Sequence, residues 1–347
     1  MLVPPCRPSA VILFASALVL VGMTSAYASD ASAQPASSNS TQCGNYPLPA
    51  FPDLTPVAAA PGTAQVATPF GEVDLPTAPA AALGMYTTDT DILIWLGFPL
   101  ATQQPIRGIN GYETFPCFFP HQALTGIVPF GNFPEYNFEQ ILNAEPNFIL
   151  NGLGYDVAVN ERLPQIAPTY SVNAFDGRSW QEHFKATSIA LGRLDRYEAW
   201  LAIYNSRVAE VKQSIDNPGQ LVVAPLSFWD NKFRTSCYAG VECTVFRDLG
   251  LSIFEPALND NGNGTEFSTE EIGKLADIDF AFTSAGAGQL GLVKFEETKA
   301  EIAKYPLWDQ LAFVESEQFI PFDMEMVYGS PSGQLAFLEV VAAALAK

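Results

Sequence analysis

Apolar and semi-apolar residues recur at helical spacing between Trp180 and Ile215. The steps between them are three or four residues, which is the stripe of an amphipathic helix. Gly192 interrupts the stripe, and glycine is common just past a helix end. The pattern therefore predicts a short helix to about Leu191 and a long helix from about Asp195 to Ile215. At ~1.5 Å per residue the long helix would span about 30 Å.

Short apolar segments alternate with helical patterns on both sides of this helix. Before it, residues 81–85 and 147–150 are candidate strands, and after it the candidates are residues 221–226 and 279–283. Strands that alternate with helices are typical of an α/β fold with a largely parallel sheet. The pattern predicts two lobes of similar size joined by one long helix, with the functional site between the lobes.

The first 28 residues are predicted to be a signal peptide. Ala10 to Met23 is an apolar run too short to span a membrane, and Ala26-Tyr27-Ala28 fits a small-x-small cleavage site. No cysteine follows the apolar run in lipobox position, so we expect export, cleavage near Ala28 and no lipid anchor. Residues 29–67 are rich in Ala, Pro, Ser, Thr and Gln and are predicted to form a flexible tether. The remaining predicted boundaries are 68–185 for the N-terminal lobe, 186–216 for the linking helix and 217–347 for the C-terminal lobe.

The chain carries a net charge of −20 with only 17 Lys and Arg residues. Nucleic acids and anionic membranes are bound through basic patches, so we expect neither as a partner. Hydrophobic residues make up 48% of the chain, which is enough for a large core. The sequence has no Gly-x-Ser-x-Gly or His-Glu-x-x-His motif, and its two histidines leave few options for acid–base catalysis. We therefore do not expect an enzyme.

The cysteines that follow the predicted signal peptide are Cys43, Cys117, Cys237 and Cys243. An even number in an exported protein favours disulfides, and three connectivities are possible. Proximity in sequence favours Cys237–Cys243, which leaves Cys43–Cys117 to tie the N-terminal segment to the first lobe. A zinc site is the alternative. It is disfavoured because the chain has two histidines and no Cys-x-x-Cys motif, so no metal site is predicted.

Five segments of the chain are informative together. They are Asn137–Leu150, Leu163–Thr169, Trp180–Arg193, Phe267–Phe282 and Tyr305–Val314. In this order and spacing they resemble the iron-siderophore-binding proteins of ABC importers, and the agreement extends from about Phe70 to the end of the chain. The first segment, NFEQILNAEPNFIL, is similar to that family's "asn-leu-glu-x-ile-leu-x-x-x-pro-asp-leu-ile" phrase.

The resemblance implies two Rossmann-like lobes joined by one long rigid α-helix, with the ligand cleft between the lobes. It also implies a periplasmic substrate-binding protein that captures a ferric siderophore and delivers it to an ABC transporter membrane permease. On this interpretation no cofactor is bound covalently, and the iron is carried as a chelate within the ligand. We expect the protein to act as a monomer.

Aromatic and polar side chains that follow strands are the expected ligand contacts. Ligands of open α/β lobes bind at the carboxyl ends of strands, and clefts between domains are common pockets. Aromatic rings can cover the apolar faces of an organic chelate, and Arg or Tyr can bond its oxygens. Trp229 with Arg234 is the preferred pair, with core packing as the competing interpretation for each residue. The predicted ligand contacts are Tyr86, Tyr112, Tyr155, Trp229, Arg234 and Tyr238.

Two carboxylates match the positions at which the resembled family docks on permease arginines. They are Glu135, just before the Asn137–Leu150 segment, and Glu270, in the Phe267–Phe282 segment. The competing interpretation is that each carboxylate lies near a helix start, where negative charge is favourable. Glu270 also falls at position 12 of a calcium-loop template that begins at Asn259. An Asn/Gly turn is preferred there, because among the template positions that match only Glu270 is charged.

Other cargoes and other classes of protein stay open on the sequence. Haem or cobalamin is the alternative cargo, and haem would require an axial His or Tyr in the cleft, such as His121. An exported sensor or enzyme on the same scaffold is the alternative from a different class. Charge reversal at the docking carboxylates would separate an importer component from a sensor or enzyme, because in an importer component it should stop import without changing ligand affinity.

Overall fold

The computed structural model describes residues 48–237, 240–259 and 264–346. The predicted signal peptide, residues 29–47 of the predicted tether, Cys43 and Tyr238 lie outside these ranges. Among the residues that are described, no helix has the length and apolarity needed to cross a bilayer.

Strands and helices alternate along the described chain. The strands are β1 (Thr63–Thr68), β2 (Gly71–Pro76), β3 (Ala82–Gly84), β4 (Gln103–Ile106), β5 (Val128–Gly131), β6 (Phe148–Asn151), β7 (Thr169–Ser171), β8 (Val222–Pro225), β9 (Ser227–Trp229), β10 (Lys232–Thr235), β11 (Ser252–Ile253), β12 (Thr265–Ser268), β13 (Phe280–Ala285) and β14 (Phe319–Asp323). The α-helices are α1 (Thr87–Trp95), α2 (Phe138–Asn143), α3 (Val157–Arg162), α4 (Trp180–Ala190), α5 (Leu194–Ser214), α6 (Glu242–Leu249), α7 (Gly288–Ile302), α8 (Ala312–Glu315) and α9 (Pro331–Leu345).

The N-terminal lobe is built on short parallel strands. One sheet has the order β3–β6–β7, and β4 pairs with β5 in parallel. The register places Leu83 beside Ile149 and Leu150 beside Tyr170. All residues of β3 and β6 are buried, because helices and loops cover both faces of the sheet. This burial accounts for the continuous apolar runs from which the strands were predicted.

The C-terminal lobe contains a parallel sheet and an antiparallel sheet. The parallel sheet has the order β11–β8–β13–β14, with Phe282 beside both Pro225 and Ile320. The antiparallel sheet has the order β12–β10–β9. Both lobes therefore have the predicted α/β architecture, and the antiparallel sheet is an addition that the apolar pattern did not predict.

The two helices between the lobes confirm the prediction from helical spacing. α4 ends at Ala190, Gly192 follows with φ +66°, and α5 then runs over 21 residues. The buried positions of α5 are Tyr197, Trp200, Tyr204 and Val211. Three of them belong to the predicted stripe, whereas Trp200 does not and is buried next to the half-buried stripe residue Leu201. α5 connects the last strand of the first lobe with the first strand of the second.

The C-terminal helix α9 forms a second connection between the lobes. It follows the last strand of the C-terminal lobe and packs against α1 of the N-terminal lobe as well as α5 and α6. Its first turn accepts hydrogen bonds from three tryptophan indoles. The bonds run from Trp95 Nε1 to Ser332 Oγ (2.9 Å), from Trp180 Nε1 to Gln334 Oε1 (2.6 Å) and from Trp200 Nε1 to the Pro331 carbonyl (3.0 Å).

The predicted flexible tether is wrong for its last residues. β1 includes all of residues 63–67 and pairs with β2 in an antiparallel hairpin, in which Val66 lies beside Val73. Further towards the N-terminus, the Val57 amide donates to the Gly97 carbonyl at 2.9 Å. β1 is mostly exposed and contains Thr, Ala and Gln with a single Val, so its sequence resembles a linker although each of its residues lies opposite a residue of β2.

Removal of the Asp91 carboxylate should destabilise the junction between α1 and α9. Asp91 is fully buried and accepts bonds from both the amide and the hydroxyl of Ser332, each at 2.7 Å. In Asp91→Ala these buried donors lose their acceptor, so we expect the free energy of unfolding to fall by about 3 kcal/mol in urea titrations.

Asp53→Ala is the matched control for this prediction. Asp53 also accepts bonds from an amide and a hydroxyl, both of Thr55, but it lies at the surface. Water replaces the carboxylate there, so we expect no resolvable change in stability. Equal unfolding midpoints for Asp91→Ala and the unmodified protein would contradict the role of this junction.

Candidate functional site

A pocket in the N-terminal lobe lies at the carboxyl ends of the parallel strands β3, β6 and β7. The space within it, including the part open to solvent, is about 530 Å³, and its lining is largely apolar. Residues that directly follow the three strands form one wall, and α4 and Tyr328 form the others. The lining includes Tyr86, Asp89, Gly152, Leu153, Val172, Ala174, Phe175, Trp180, His183, Thr187 and Tyr328.

Asp89 holds the loop after β6 against the start of α1. Its Oδ2 accepts a bond from the Gly152 amide at 3.0 Å, and a Cβ on Gly152 would lie 2.6 Å from Oδ1. Only glycine allows this close approach. Burial raises the pKa of Asp89 to about 7, although bonds from the Gly152 and Met85 amides favour the ionised form.

A second pocket lies at the carboxyl ends of β8 and β13 in the C-terminal lobe. The space within it, including the part open to solvent, is about 670 Å³. The strand ends contribute Pro225, Phe282 and Ser284, and the antiparallel hairpin contributes Ser227 and Arg234. Glu242, the first residue of α6, and Val327 also line this pocket. Both pockets follow the rule that ligand sites of α/β lobes form beyond the carboxyl ends of strands.

Trp229 and Arg234 share one face of the β9–β10 hairpin. In the antiparallel register Trp229 lies beside Lys232 and Ser227 lies beside Arg234, so these side chains project to the same side. Phe228 and Phe233 project to the other side, where Phe233 is buried. Because Ser227 and Arg234 line the second pocket, Trp229 extends the same surface, with 84% of its area exposed.

The two lobes meet at Glu325, which follows β14 and is buried. Its Oε2 accepts a bond from the Thr87 hydroxyl at 2.6 Å, and its Oε1 accepts from the Tyr86 hydroxyl at 3.4 Å. Arg107 Nε forms an ion pair with the same Oε1. Burial is the main influence on the pKa of Glu325 and raises it, opposed by the Arg107 charge and the Thr87 bond. Every one of these partners comes from the N-terminal lobe.

Asp323 and Tyr112 form a neighbouring contact between the lobes. The Tyr112 hydroxyl donates to Asp323 Oδ1 and accepts from the Glu325 amide at 3.0 Å. Burial raises the pKa of Asp323 to about 7 and raises the pKa of Tyr112 as well. Tyr112 is only 3% exposed, so the structure uses this predicted ligand residue to join the lobes.

Aromatic rings surround the Arg107 guanidinium. Its Cζ lies 4.6 Å from the Tyr328 ring centroid, 5.1 Å from that of Phe133 and 5.3 Å from that of Tyr86. Such distances allow cation–π attraction. Tyr86 and Tyr328 also line the first pocket, so Arg107 connects that pocket with Glu325.

The structure brings some of the predicted ligand residues together and separates others. Tyr86 lines the N-terminal pocket, Arg234 lines the C-terminal pocket, and Trp229 extends the surface beside Arg234. Tyr155 is half exposed, and its ring lies 5.7 Å from Phe175, a residue of the first pocket. Tyr238 is outside the described residues.

Sequence reasoning missed Arg107, Glu242, Glu325 and Tyr328. Arg107 and Glu325 come directly after or close to the ends of β4 and β14, so the rule that found Tyr86 could have found them. Glu242 begins a helix rather than following a strand. No comparable signal in the sequence indicated it.

The predicted docking carboxylates lie on the surface of different lobes. Glu135 and Glu270 are both exposed. Glu270 is the second residue after Ser268, whose side chain caps the 3-10 helix Thr269–Leu275. In the other lobe the same place, two residues after the capping residue Asn137, is occupied by the exposed Glu139.

Three of the four cysteines in the predicted disulfides, Cys117, Cys237 and Cys243, lie within the described residues. The Cys237–Cys243 disulfide is present, which confirms that pairing. Cys117 is also disulfide-bonded, and its predicted partner Cys43 lies outside the described residues. The calcium-loop template includes residues 260–263, which lie outside them too.

Comparisons with known proteins agree with this geometry. Residues 85–325 match the model of a family described as periplasmic binding protein. No curated protein sequence matches the chain. Among solved structures, a FhuD-fold binding component of a Fep/Fec-like ferrichrome ABC transporter from Bacillus subtilis is 22% identical. The match covers 81% of this chain and 99% of that one, with a TM-score of 0.63.

Two staphylococcal structures are similar in the same way. SirA of Staphylococcus aureus, solved with staphyloferrin B, is 21% identical over 82% of this chain and 98% of its own, with a TM-score of 0.62. A FhuD-type protein of the same organism, solved with ferrioxamine B, is 16% identical over 77% of this chain and 98% of its own, with a TM-score of 0.58. At these identities the similarity shows the fold.

The buried carboxyls should make the protein less stable as pH rises from 5 to 8. Burial raises the pKa of Asp91 to about 6 and the pKa of Asp89, Glu242 and Asp323 to about 7. The unfolded chain releases these protons near pH 4, about the ordinary value, so the folded state binds more protons throughout this range. We expect the free energy of unfolding to fall by at least about 2 kcal/mol between pH 5 and pH 8.

Other titrating groups do not reverse this sign. Burial lowers the pKa of His121, which opposes the trend but is a single group. Glu271, with its pKa lowered to about 2, is ionised in both states above pH 5 and adds no slope. Urea titrations at several pH values measure the effect. In Glu242→Gln the free energy of unfolding should fall less steeply with pH. Stability that increases from pH 5 to pH 8 would show that the buried carboxyls are not protonated in the folded protein.

Proposed function

Because the chain belongs to the periplasmic binding protein family, we propose that it captures a ferric siderophore between its lobes and delivers it to an ABC transporter membrane permease. The observation that carries the proposal is the family match over residues 85–325, which includes the helix α5 and all lining residues of both pockets except Val327 and Tyr328. The similar staphylococcal proteins were solved with staphyloferrin B and ferrioxamine B, which supports a siderophore as cargo.

The surfaces of the cleft suit an organic chelate. The N-terminal pocket offers aromatic rings, including Tyr86 and Trp180, and the C-terminal pocket offers the hydroxyls of Ser227 and Ser284 beside Arg234. Rings can cover the apolar faces of a chelate while hydroxyl and guanidinium groups bond its oxygens. We therefore assign ligand contact to Tyr86, Tyr155, Trp229 and Arg234, and iron enters only as part of the cargo.

Haem is the less favoured cargo because neither described histidine is free to ligate iron in the cleft. His183 lines the N-terminal pocket, but its Nε2 lies 2.9 Å from Asp176 Oδ1. His121 lines a separate groove with residues 51–56. The proposed function also implies export to the periplasm or cell envelope, action as a monomer and no catalysis.

A ferric siderophore should quench the tryptophan fluorescence of the mature protein saturably. Trp229 is 84% exposed beside the C-terminal pocket, so a bound iron chelate should quench it, and Trp229→Phe should lose most of the signal. Loss of the Arg234 guanidinium should weaken binding about tenfold in Arg234→Ala. The titrated panel contains a ferric hydroxamate, a ferric catecholate, ferric citrate, haem and cobalamin.

Arg247→Ala is the control, because Arg247 is exposed near the end of α6 and outside both pockets. It removes the same charge from the same lobe and should leave affinity unchanged. Flat titrations with every siderophore would refute the proposed cargo. Saturation by haem or cobalamin alone would replace it.

We further propose that one exposed carboxylate on each lobe docks on the permease. Glu270 is the candidate on the C-terminal lobe, and Glu135 is the candidate predicted from the sequence on the N-terminal lobe. Glu139 is a further candidate on the N-terminal lobe, because it is the second residue after the N-cap of α2, just as Glu270 is the second residue after the N-cap of the helix Thr269–Leu275. Each of these helices precedes a strand of the parallel sheet in its lobe.

Charge reversal at the docking carboxylates should stop import without affecting capture. In Glu270→Lys combined with Glu135→Lys or with Glu139→Lys, uptake of iron-loaded siderophore by cells that carry the permease should fall at least about tenfold. Siderophore affinity, measured by fluorescence, should stay the same. Comparison of the two double variants decides between Glu135 and Glu139.

Glu297→Lys controls for the change in net charge. Glu297 is exposed in the middle of α7 rather than at a helix start. Uptake in this variant should be normal. Normal uptake in both double variants would refute docking through these carboxylates.

A further inference from the structure

Few basic side chains line the cleft between the lobes, and each of them lies close to a carboxylate. Arg107 forms an ion pair with Glu325. Arg234 lies directly beside Glu266 in the register of β10 and β12, so their side chains share a face. Glu266 also forms an ion pair with Lys232 on that face, so Glu266 and Glu242 together match the charges of Lys232 and Arg234. No other Lys or Arg lines the pockets at the strand ends within the described residues.

Glu242 places a carboxylate in the C-terminal pocket. Its side chain folds back over Gly240, so that a Cβ there would lie 2.2 Å from Glu242 Oε2. Glu242 is only 7% exposed, and none of the ion pairs among the described residues includes it. Burial raises its pKa to about 7. A buried carboxylate of this kind is stabilised by a cation that enters the pocket.

The arrangement distinguishes between chelates of different charge. A tris-catecholate complex of iron carries several negative charges and would be buried beside Glu242 without a surplus of basic groups to compensate. Burial of like charges together is strongly unfavourable. A protonated amine would instead form charge-assisted hydrogen bonds with the carboxylate, and the hydroxyls of Ser227 and Ser284 line the same pocket.

We infer that this protein selects ferric chelates without net negative charge, and that a cationic amino group of the chelate binds Glu242 in the C-terminal pocket. The inference rests on the proposed function and narrows its substrate class. It assigns to Glu242 the role of a specificity-determining contact, separate from the iron-bearing part of the cargo.

A matched pair of chelates tests the inference directly. Ferrioxamine B carries a primary ammonium group, and its N-acetyl derivative has the same trishydroxamate iron centre without that charge. We expect ferrioxamine B to bind at least about tenfold more tightly than the acetylated form. In Glu242→Gln this ratio should fall to about one, while the affinity for the acetylated form stays within about twofold and shows that the pocket is intact.

Glu301→Gln, at an exposed position of α7, is the control with the same change of charge and should keep the tenfold ratio. Equal affinity of the unmodified protein for the two chelates would overturn the inference, and so would tighter binding of ferric enterobactin or ferric citrate. An unchanged ratio in Glu242→Gln would overturn the role of Glu242. If no ferric siderophore of any charge binds, the proposed function fails and the inference fails with it. If siderophores bind but the anionic or acetylated chelates bind as tightly as ferrioxamine B, only the inference fails.

Discussion

The burial of Glu325 is the constraint on which the relation between the lobes depends. An isolated carboxylate costs several kcal/mol to remove from water, and that cost is offset only by well-placed donors and charges. The C-terminal lobe supplies the carboxylate, whereas Thr87, Tyr86 and Arg107 of the N-terminal lobe supply the partners. The carboxylate is therefore satisfied only when the lobes lie in this relation, and Tyr112 reinforces it by bridging Asp323 and the Glu325 amide.

The helices then limit how far this relation can change. α5 alone would join the lobes at one place only, and this single connection is what the sequence pattern predicted. α9 adds a second brace, because its first turn is fixed by Asp91 and Trp95 of α1 and by Trp200 of α5. Two helices that are packed against both lobes favour small shear movements over a wide hinge motion.

Much of the fold could be predicted from the sequence, because it depends on local periodicity. The stripe from Trp180 to Ile215 predicted α4 and α5 nearly to the residue, and apolar runs predicted β6, β8 and β13. The pattern failed where pairing does not require apolar residues. β1 is a polar strand that appeared to belong to a linker, and β10 and β12 pair through a register that no local pattern specifies.

The site was less predictable for the same reason. The rule about strand ends correctly selected Tyr86 and Arg234 as pocket residues, but it does not indicate whether a side chain faces a ligand or the other lobe. Tyr112 satisfies the rule and is buried against Asp323. Arg107 and Glu325, which decide the geometry of the cleft, are separated by 218 residues in sequence. Neither residue is informative without the other, so only the three-dimensional structure identifies them.

Internal pairing of charges also determines how the cleft can recognise a ligand. Arg107 is enclosed by Tyr86, Phe133 and Tyr328 and is neutralised by Glu325, so its charge is not available to a ligand unless that ion pair opens. Opening it would leave a buried carboxylate unpaired, which is costly. The aromatic rings around Arg107 therefore contribute their surfaces rather than the charge they enclose. Shape and apolar contact should dominate recognition on the N-terminal lobe, whereas the polar groups that discriminate between ligands lie on the C-terminal lobe.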